Sequence, residues 1–133
     1  MTLSSFLDSN VILYLFDLDE RKQTIAQNLV SQNPIINPQV LVEVGNICKR
    51  KFGFTKKQVS QLWEDLMIDC VCDPVSGSTI ENARKLIARY DFQLFDSIIV
   101  AGALEANCSI LYSEDMQHGL LVENKLEIVN PFL

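Results

Sequence analysis

Phe6-Leu7-Asp8-Ser9-Asn10-Val11-Ile12-Leu13-Tyr14 is the stretch from which the fold is read. Ser5 to Leu7 predicts a brief strand, Asp8-Ser9-Asn10 a turn, and Val11 to Phe16 the start of a helix. A strand that passes almost at once into a helix is the repeating unit of a parallel sheet, and ligands of such sheets gather beyond the carboxyl ends of the strands. Asp8 stands at such an end.

The same alternation continues along the chain. Glu20 to Ser31 has helical spacing, with Ile25, Ala26, Leu29 and Val30 inward, and Asn33-Pro34 stops it. Ile35 and Ile36 make a minimal strand. Asn37 caps and Pro38 starts a helix marked by Val40, Leu41, Val44, Ile47 and Cys48, running to about Lys51. Gly53 breaks the pattern, and Thr55 caps a helix through Val59, Leu62, Trp63 and Leu66 that ends before the apolar run Ile68 to Cys72, read as a strand. Beyond Asp73-Pro74, Ser78 to Arg89 is helical. Asp96 then opens an unusually apolar helix through Ile98, Ile99, Ala101, Ala103 and Leu104, expected to be buried all round. Ser109 to Tyr112 reads as a strand and Ser113 to Gly119 as a loop. Leu120 to Val122 and Leu126 to Val129 form a terminal hairpin around Glu123-Asn124-Lys125. A mostly parallel α/β sheet is expected, in one domain spanning residues 1–133.

Composition narrows the function classes. With 133 residues, 48% of them hydrophobic, the chain suits one domain that buries roughly two-thirds of its unfolded surface. No apolar run approaches the ~20 residues of a membrane span, and the N-terminus lacks a signal peptide's basic and apolar regions, so no membrane association and a cytoplasmic location are expected. Cys48, Cys70, Cys72 and Cys108 form no C-x-x-C pair and His118 is the lone histidine, which argues against zinc; the thiols read as small core hydrophobes. A net charge of −6 argues against nucleic-acid binding through the overall field. Basic residues are nonetheless grouped, as Lys49, Arg50, Lys51, Lys56 and Lys57 and as Arg84, Lys85 and Arg89. Each group reads either as a solvated helix face or as local phosphate contacts.

Four acids adjoin apolar stretches: Asp8, Glu43, Asp96 and Asp115. Taken singly, Asp8 and Asp96 read as helix caps, Asp115 as a turn residue, and Glu43 as pointing outward beside Lys49 or Arg50. Taken together, at strand ends and on an inward helix, they read as an oxygen-rich cluster suited to a hard cation such as Mg²⁺ or Mn²⁺. Burying a lone Glu43 would cost several kcal/mol without a cation or strong donors.

The order Phe-Leu-Asp8-Ser-Asn-Val-Ile-Leu-Tyr, Val-Glu43-Val-Gly-Asn-Ile, Phe-Asp96-Ser-Ile-Ile-Val-Ala-Gly-Ala-Leu-Glu-Ala-Asn-Cys and Leu-Tyr-Ser-Glu-Asp115-Met-Gln-His-Gly resembles a PIN domain, most closely the VapC-type toxins of toxin–antitoxin pairs. The likeness runs to Ile128-Val129-Asn130-Pro131-Phe132, whereas Lys51 to Arg89 matches only in helical character. It implies a three-layer α/β/α fold and a ribonuclease whose acidic quartet is Asp8, Glu43, Asp96 and Asp115, with metal on Asp8, Asp96 and Asp115 and polar support from Asn10 and Ser113. Serine stands at positions 9 and 113 where relatives often carry threonine, and Glu114 is an extra acid beside Asp115. The metal would activate a water for in-line attack, leaving 5′ phosphate and 3′ hydroxyl ends. The likeness also implies a homodimer and a cognate antitoxin that presents an arginine to the pocket, with the helices Glu20 to Ser31 and Val40 to Arg50 as the groove.

Two other readings stand beside it. A strand ending in Asp8 is similar to haloacid-dehalogenase-like phosphatases, which need a second aspartate where this chain has Asn10. The other is an interaction module that keeps the fold without the chemistry.

Overall fold

The computed structural model describes residues 4–133. Met1 to Leu3, part of the segment read as carrying no signal peptide, lie outside the described residues. Among the described residues no helix is long and apolar enough to cross a membrane.

β1 (Ser5–Leu7) passes into α1 (Ser9–Leu13), a 3₁₀ turn (Tyr14–Phe16) and α2 (Glu20–Val30). Then follow β2 (Ile35–Ile36), α3 (Pro38–Phe52), α4 (Lys56–Asp69), β3 (Val71–Cys72), α5 (Gly77–Tyr90), α6 (Leu94–Glu105), β4 (Ile110–Tyr112), β5 (Leu121–Val122) and β6 (Leu126–Val129). The strands lie in the order β3-β2-β1-β4-β6-β5, and every pair is parallel except β5 with β6. Right-handed crossovers then put α1 to α4 on one face, because β1, β2 and β3 step outward in one direction, and α5 and α6 on the other, because the chain steps back to β4. The expected α/β architecture with helices on both sheet faces is what the chain adopts. The sheet's direction of growth reverses between β1 and β4, which pair through Phe6 with Leu111 and Leu7 with Tyr112.

Phe6, Leu7, Leu111 and Ile128 of the central strands are fully buried, packed with Ile36, Val40, Val44, Ile99 and Val100. The caps follow the sequence: Asn37 accepts from the Val40 amide at 3.1 Å, and Thr55 and Gln58 form a reciprocal capping box. Gly53 ends α3 with φ +68°, a backbone that side chains resist. The β5–β6 turn places Glu123 and Asn124 at φ 51° and 54°, the twist a tight hairpin needs.

Three expectations are corrected. α1 begins at Ser9, not Val11, because Asp8 itself caps it by accepting the Ser9 amide at 2.7 Å. α4 continues to Asp69, so the strand expected from Ile68 shrinks to Val71–Cys72. The inward stripe Val59, Leu62, Trp63, Leu66 carries on in helical register to buried Cys70, leaving Ile68 72% exposed. α6 starts at Leu94, two residues before Asp96, and is buried along its middle but not at its first turn, where Leu94 and Phe95 are exposed.

The four cysteines are free thiols, and Cys48, Cys70 and Cys108 are buried. α3 and α4 meet at Gly45, where an added Cβ would lie 2.8 Å from Val59 Cγ1 and 3.0 Å from the Trp63 indole nitrogen. That indole is pinned, donating to the Leu41 carbonyl at 2.7 Å, and β-branched Val59 cannot swing aside cheaply. Gly45→Ala is therefore expected to destabilise the chain by about 1–3 kcal/mol in urea unfolding, while Gly77→Ala, with open space at its Cβ, leaves the midpoint nearly unchanged.

Candidate active site

The acids of the sequence come from four different elements. Asp8 follows β1, Glu43 lies on α3, Asp96 is in the first turn of α6, and Asp115 is in the loop after β4. Helices from opposite faces of the sheet thus bring Glu43 and Asp96 to the carboxyl edge where β1 and β4 diverge, the position at which open α/β sheets bind ligands.

Asp8 is the deepest, 3% exposed. Its Oδ1 accepts from the Ser9 amide at 2.7 Å, and its Oδ2 from the Ser113 hydroxyl at 2.9 Å and the Asn10 amide at 3.3 Å. Asn10 also donates to Ser113 Oγ at 3.3 Å and accepts the Glu114 amide at 3.0 Å, so one side chain ties α1 to the loop after β4. The Ser9 hydroxyl donates instead to Glu43, at 2.6 Å. The other Glu43 oxygen accepts from Gln39 at 2.9 Å, and Gln39 reaches on to the Phe95 carbonyl at 3.2 Å, bridging α3 and α6. Glu43 is half-buried on the side of α3 facing α1 and α6, and Val42 beside it is the residue that points outward, 60% exposed. Asp96 is half-buried and Asp115 exposed.

The charges repel. Burial pushes Asp8 up to about 6, against the pull of the Ser113 hydroxyl and Ser9 amide, and the Glu43 and Asp96 carboxylates push it further. Asp96 is also raised, first by burial and then by Asp115 and Glu43. Glu114 does not enter this cluster: its Oε1 takes the Tyr14 hydroxyl at 2.6 Å, and Lys22 lies 3.7 Å from its Oε2. Among the described residues no three His, Cys, Asp or Glu side chains stand close enough together to hold a metal ion as they are oriented. The donor set fits a hard divalent cation by its chemistry, being made of carboxylate oxygens, but gathering it requires side-chain rotation.

Of the basic residues, Lys49, Arg50, Lys51, Lys56 and Lys57 are all exposed around the α3–α4 junction, and Lys51 shares a hollow with Asn10 and Glu114. Arg84 pairs with Glu81 and Arg89 with Glu123 on the opposite layer, away from the acids. His118 is exposed, its Nδ1 accepting the Asn130 amide at 3.0 Å, and Asp91 ends α5 with φ 58°, so neither joins the site. Trp63 and Phe54 pack partly buried against the core. Gln39, Tyr14 and Lys22 went unnoticed in the sequence, because the partners that tie them to the site, the Phe95 carbonyl for Gln39 and Glu114 for Tyr14 and Lys22, lie far along the chain.

The family model of the PIN domain matches residues 5–119, and the chain belongs to the PIN domain family. Comparison with curated proteins gives no match. Among solved structures, the chain is similar to a toxin–antitoxin complex from Klebsiella pneumoniae, with TM-score 0.73, 20% identity, and 96% of this chain and 98% of that chain covered. It is similar also to VapC20 of Mycobacterium tuberculosis, a sarcin-ricin loop cleaving toxin, at TM-score 0.68 and 19% identity over 84% of this chain and 90% of that chain. FitAcB from Neisseria gonorrhoeae matches at TM-score 0.68 and 16% identity over 96% of this chain and 98% of that chain. The resemblance carried by the four motifs is thus borne out for family and fold.

Because the folded pKa of Asp8 lies above its ordinary 3.8, folding favours the protonated form, and its contribution to stability is lost as pH rises from about 4 through about 6. In EDTA, wild type is expected to lose on the order of 3 kcal/mol relative to Asp8→Asn across that window. Parallel urea melts at several pH values measure it, and a flat difference would contradict it.

Proposed function

We propose that this chain is a metal-dependent endoribonuclease of the VapC type, a single domain over residues 1–133 acting in the cytoplasm as the toxin of a toxin–antitoxin pair. One observation carries the reading: carboxylates from four separated elements lie near enough to raise one another's charge cost at the carboxyl edge of the sheet, and the deepest, Asp8, is held there by donors from Ser9, Asn10 and Ser113. A fold gains nothing in stability from such a cluster. A cation does. Membership of the PIN family and the likeness to a toxin that cleaves the sarcin-ricin loop support the same reading.

Asp8, Asp96 and Asp115 would hold Mg²⁺ or Mn²⁺, with Glu43 completing the site. The bound cation would supply Lewis acidity and a coordinated water of lowered pKa. The chain's own contribution is alignment. Ser113 and Asn10 fix the Asp8 carboxylate, while Ser9 and Gln39 fix Glu43, which is half-exposed and able to orient the attacking water. Lys51 and its basic neighbours are the contacts for the RNA backbone that the acids alone would repel. Products carrying 5′ phosphate and 3′ hydroxyl are expected.

The partners are RNA, a cognate antitoxin and a second copy in a homodimer. A structural neighbour described as a toxin–antitoxin complex supports the antitoxin. The apolar groove beside α3, lined by Val42, Gly45, Val59 and Trp63, is completed by α4 rather than by α2. An antitoxin segment crossing the site would bring an arginine to the carboxylates, where bidentate pairing competes with metal. Against a phosphatase, Asn10 occupies the second-aspartate position and spends its amide on Asp8 and Ser113.

Purified protein should cut total or transfer RNA with Mg²⁺ or Mn²⁺ and not with EDTA, and Asp96→Asn should lower the rate at least about 100-fold. Because burial and the Asp115 and Glu43 charges disfavour ionised Asp96, Asp96→Asn should melt no lower than metal-free wild type, and Mg²⁺ should raise the melting temperature of wild type only. A strongly destabilised Asp96→Asn would make Asp96 a structural residue. Equal cutting by both proteins would sink the assignment.

A further inference from the structure

Beside the acidic cluster lies a hollow of about 190 Å³ whose lining includes Asn10, the residue bonded to Asp8. Its composition is unlike that of the carboxylate site. Leu13 and Ile47 give it an apolar lining, Lys51 stands at it, and Phe52 presents an aromatic ring that is 43% exposed, tilted on Phe16 at 6.2 Å. Two more acids, Asp17 and Glu114, complete it. Glu114 is locked there rather than among the four acids, because Tyr14 donates to its Oε1 at 2.6 Å and Lys22 stands 3.3 Å from the same hydroxyl.

Resting on the ribonuclease reading, we propose that this hollow is a base-reading subsite, holding one unstacked nucleobase with an exocyclic amino group from the nucleotide next to the scissile phosphate. An exposed aromatic ring over aliphatic side chains accepts a base by stacking, the way single-stranded RNA is bound. Carboxylates at the rim accept N–H donors and repel carbonyl oxygens. Cytosine, adenine and guanine each offer an amino group there, and carboxylate pairing with such amino groups is an established mode of base readout. Uracil presents a single ring N–H between two carbonyl oxygens, which face the acids unfavourably. Lys51 serves the phosphate of the same nucleotide. Glu114, the extra acid next to Asp115, thereby has a role in choosing the cut site.

The test is titration of the full-length, isotope-labelled protein in EDTA with CMP, GMP, AMP and UMP, following backbone amide shifts. CMP, GMP and AMP should give saturable shifts at Tyr14, Lys51, Phe52 and Glu114, with UMP about tenfold weaker. Phe52→Ala should weaken all four nucleotides about tenfold. Glu114→Gln and Asp17→Asn, checked by melting for intact fold, should erase the preference over UMP. Equal binding of all four, or no shifts at these residues, overturns the subsite. So does a response to N-acetylarginine amide alone, which would make the hollow a receptor for a cationic peptide side chain. The readout needs neither metal nor turnover. Cutting without these shifts removes the subsite alone, and shifts without cutting under Mg²⁺ or Mn²⁺ remove the ribonuclease reading alone.

Discussion

The carboxylate of Asp8 is the constraint around which the rest is arranged. It lies at the end of the central strand, 3% exposed, where an unpaired charge would cost several kcal/mol. Three donors reduce that cost, and one of them, Ser113, is 105 residues away in sequence. The pairing of β1 with β4 places that donor, since the Asp8 amide extends the ladder to the Tyr112 carbonyl at 3.0 Å and so sets Ser113 opposite the side chain. Holding this carboxylate and closing the centre of the sheet are therefore one event.

The other acids reach the same edge by two routes. Glu43 comes from the helical layer on one face and Asp96 from the layer on the other, and Gln39 joins them by bonding both Glu43 and the first turn of α6. Burial first, and then repulsion among the acids, raises both Asp8 and Asp96 there. Keeping Glu114 out of the cluster limits that repulsion. Tyr14 and Lys22 do this with a hydrogen bond and a nearby positive charge.

Surface chemistry divides along the same layers. Among the described residues, Lys49, Arg50, Lys51, Lys56 and Lys57 around the α3–α4 junction form no ion pair and adjoin an apolar groove, while Arg84 and Arg89 of α5 are spent on Glu81 and Glu123. A chain of net charge −6 can therefore offer a locally basic surface next to its acids. Only Lys51 of that surface borders the hollow adjoining the acidic site, which separates it in position from Lys49 and Lys56 at the groove.

Local chemistry made much of this legible. Asn37-Pro38 and Thr55 declare helix starts because caps satisfy amides within a few residues, and alternating strands and helices fix a mostly parallel sheet. The apolar run Ile68 to Cys72 misled because hydrophobicity alone does not separate a helix end from a strand, and only packing showed that Cys70 faces inward while Ile68 does not. Asp96 was misplaced as a cap because Gln93 begins α6 without any side-chain bond to mark it. The sequence by itself determined the elements, the parallel sheet and the four acids worth watching, since these follow from periodicity and from acids set in apolar surroundings. Tertiary structure alone decided that Ser9 turns to Glu43, that Gln39 bridges α3 to α6, that Glu114 faces a separate hollow, and which basic group borders the site, because those contacts join residues tens to a hundred positions apart that no local pattern relates.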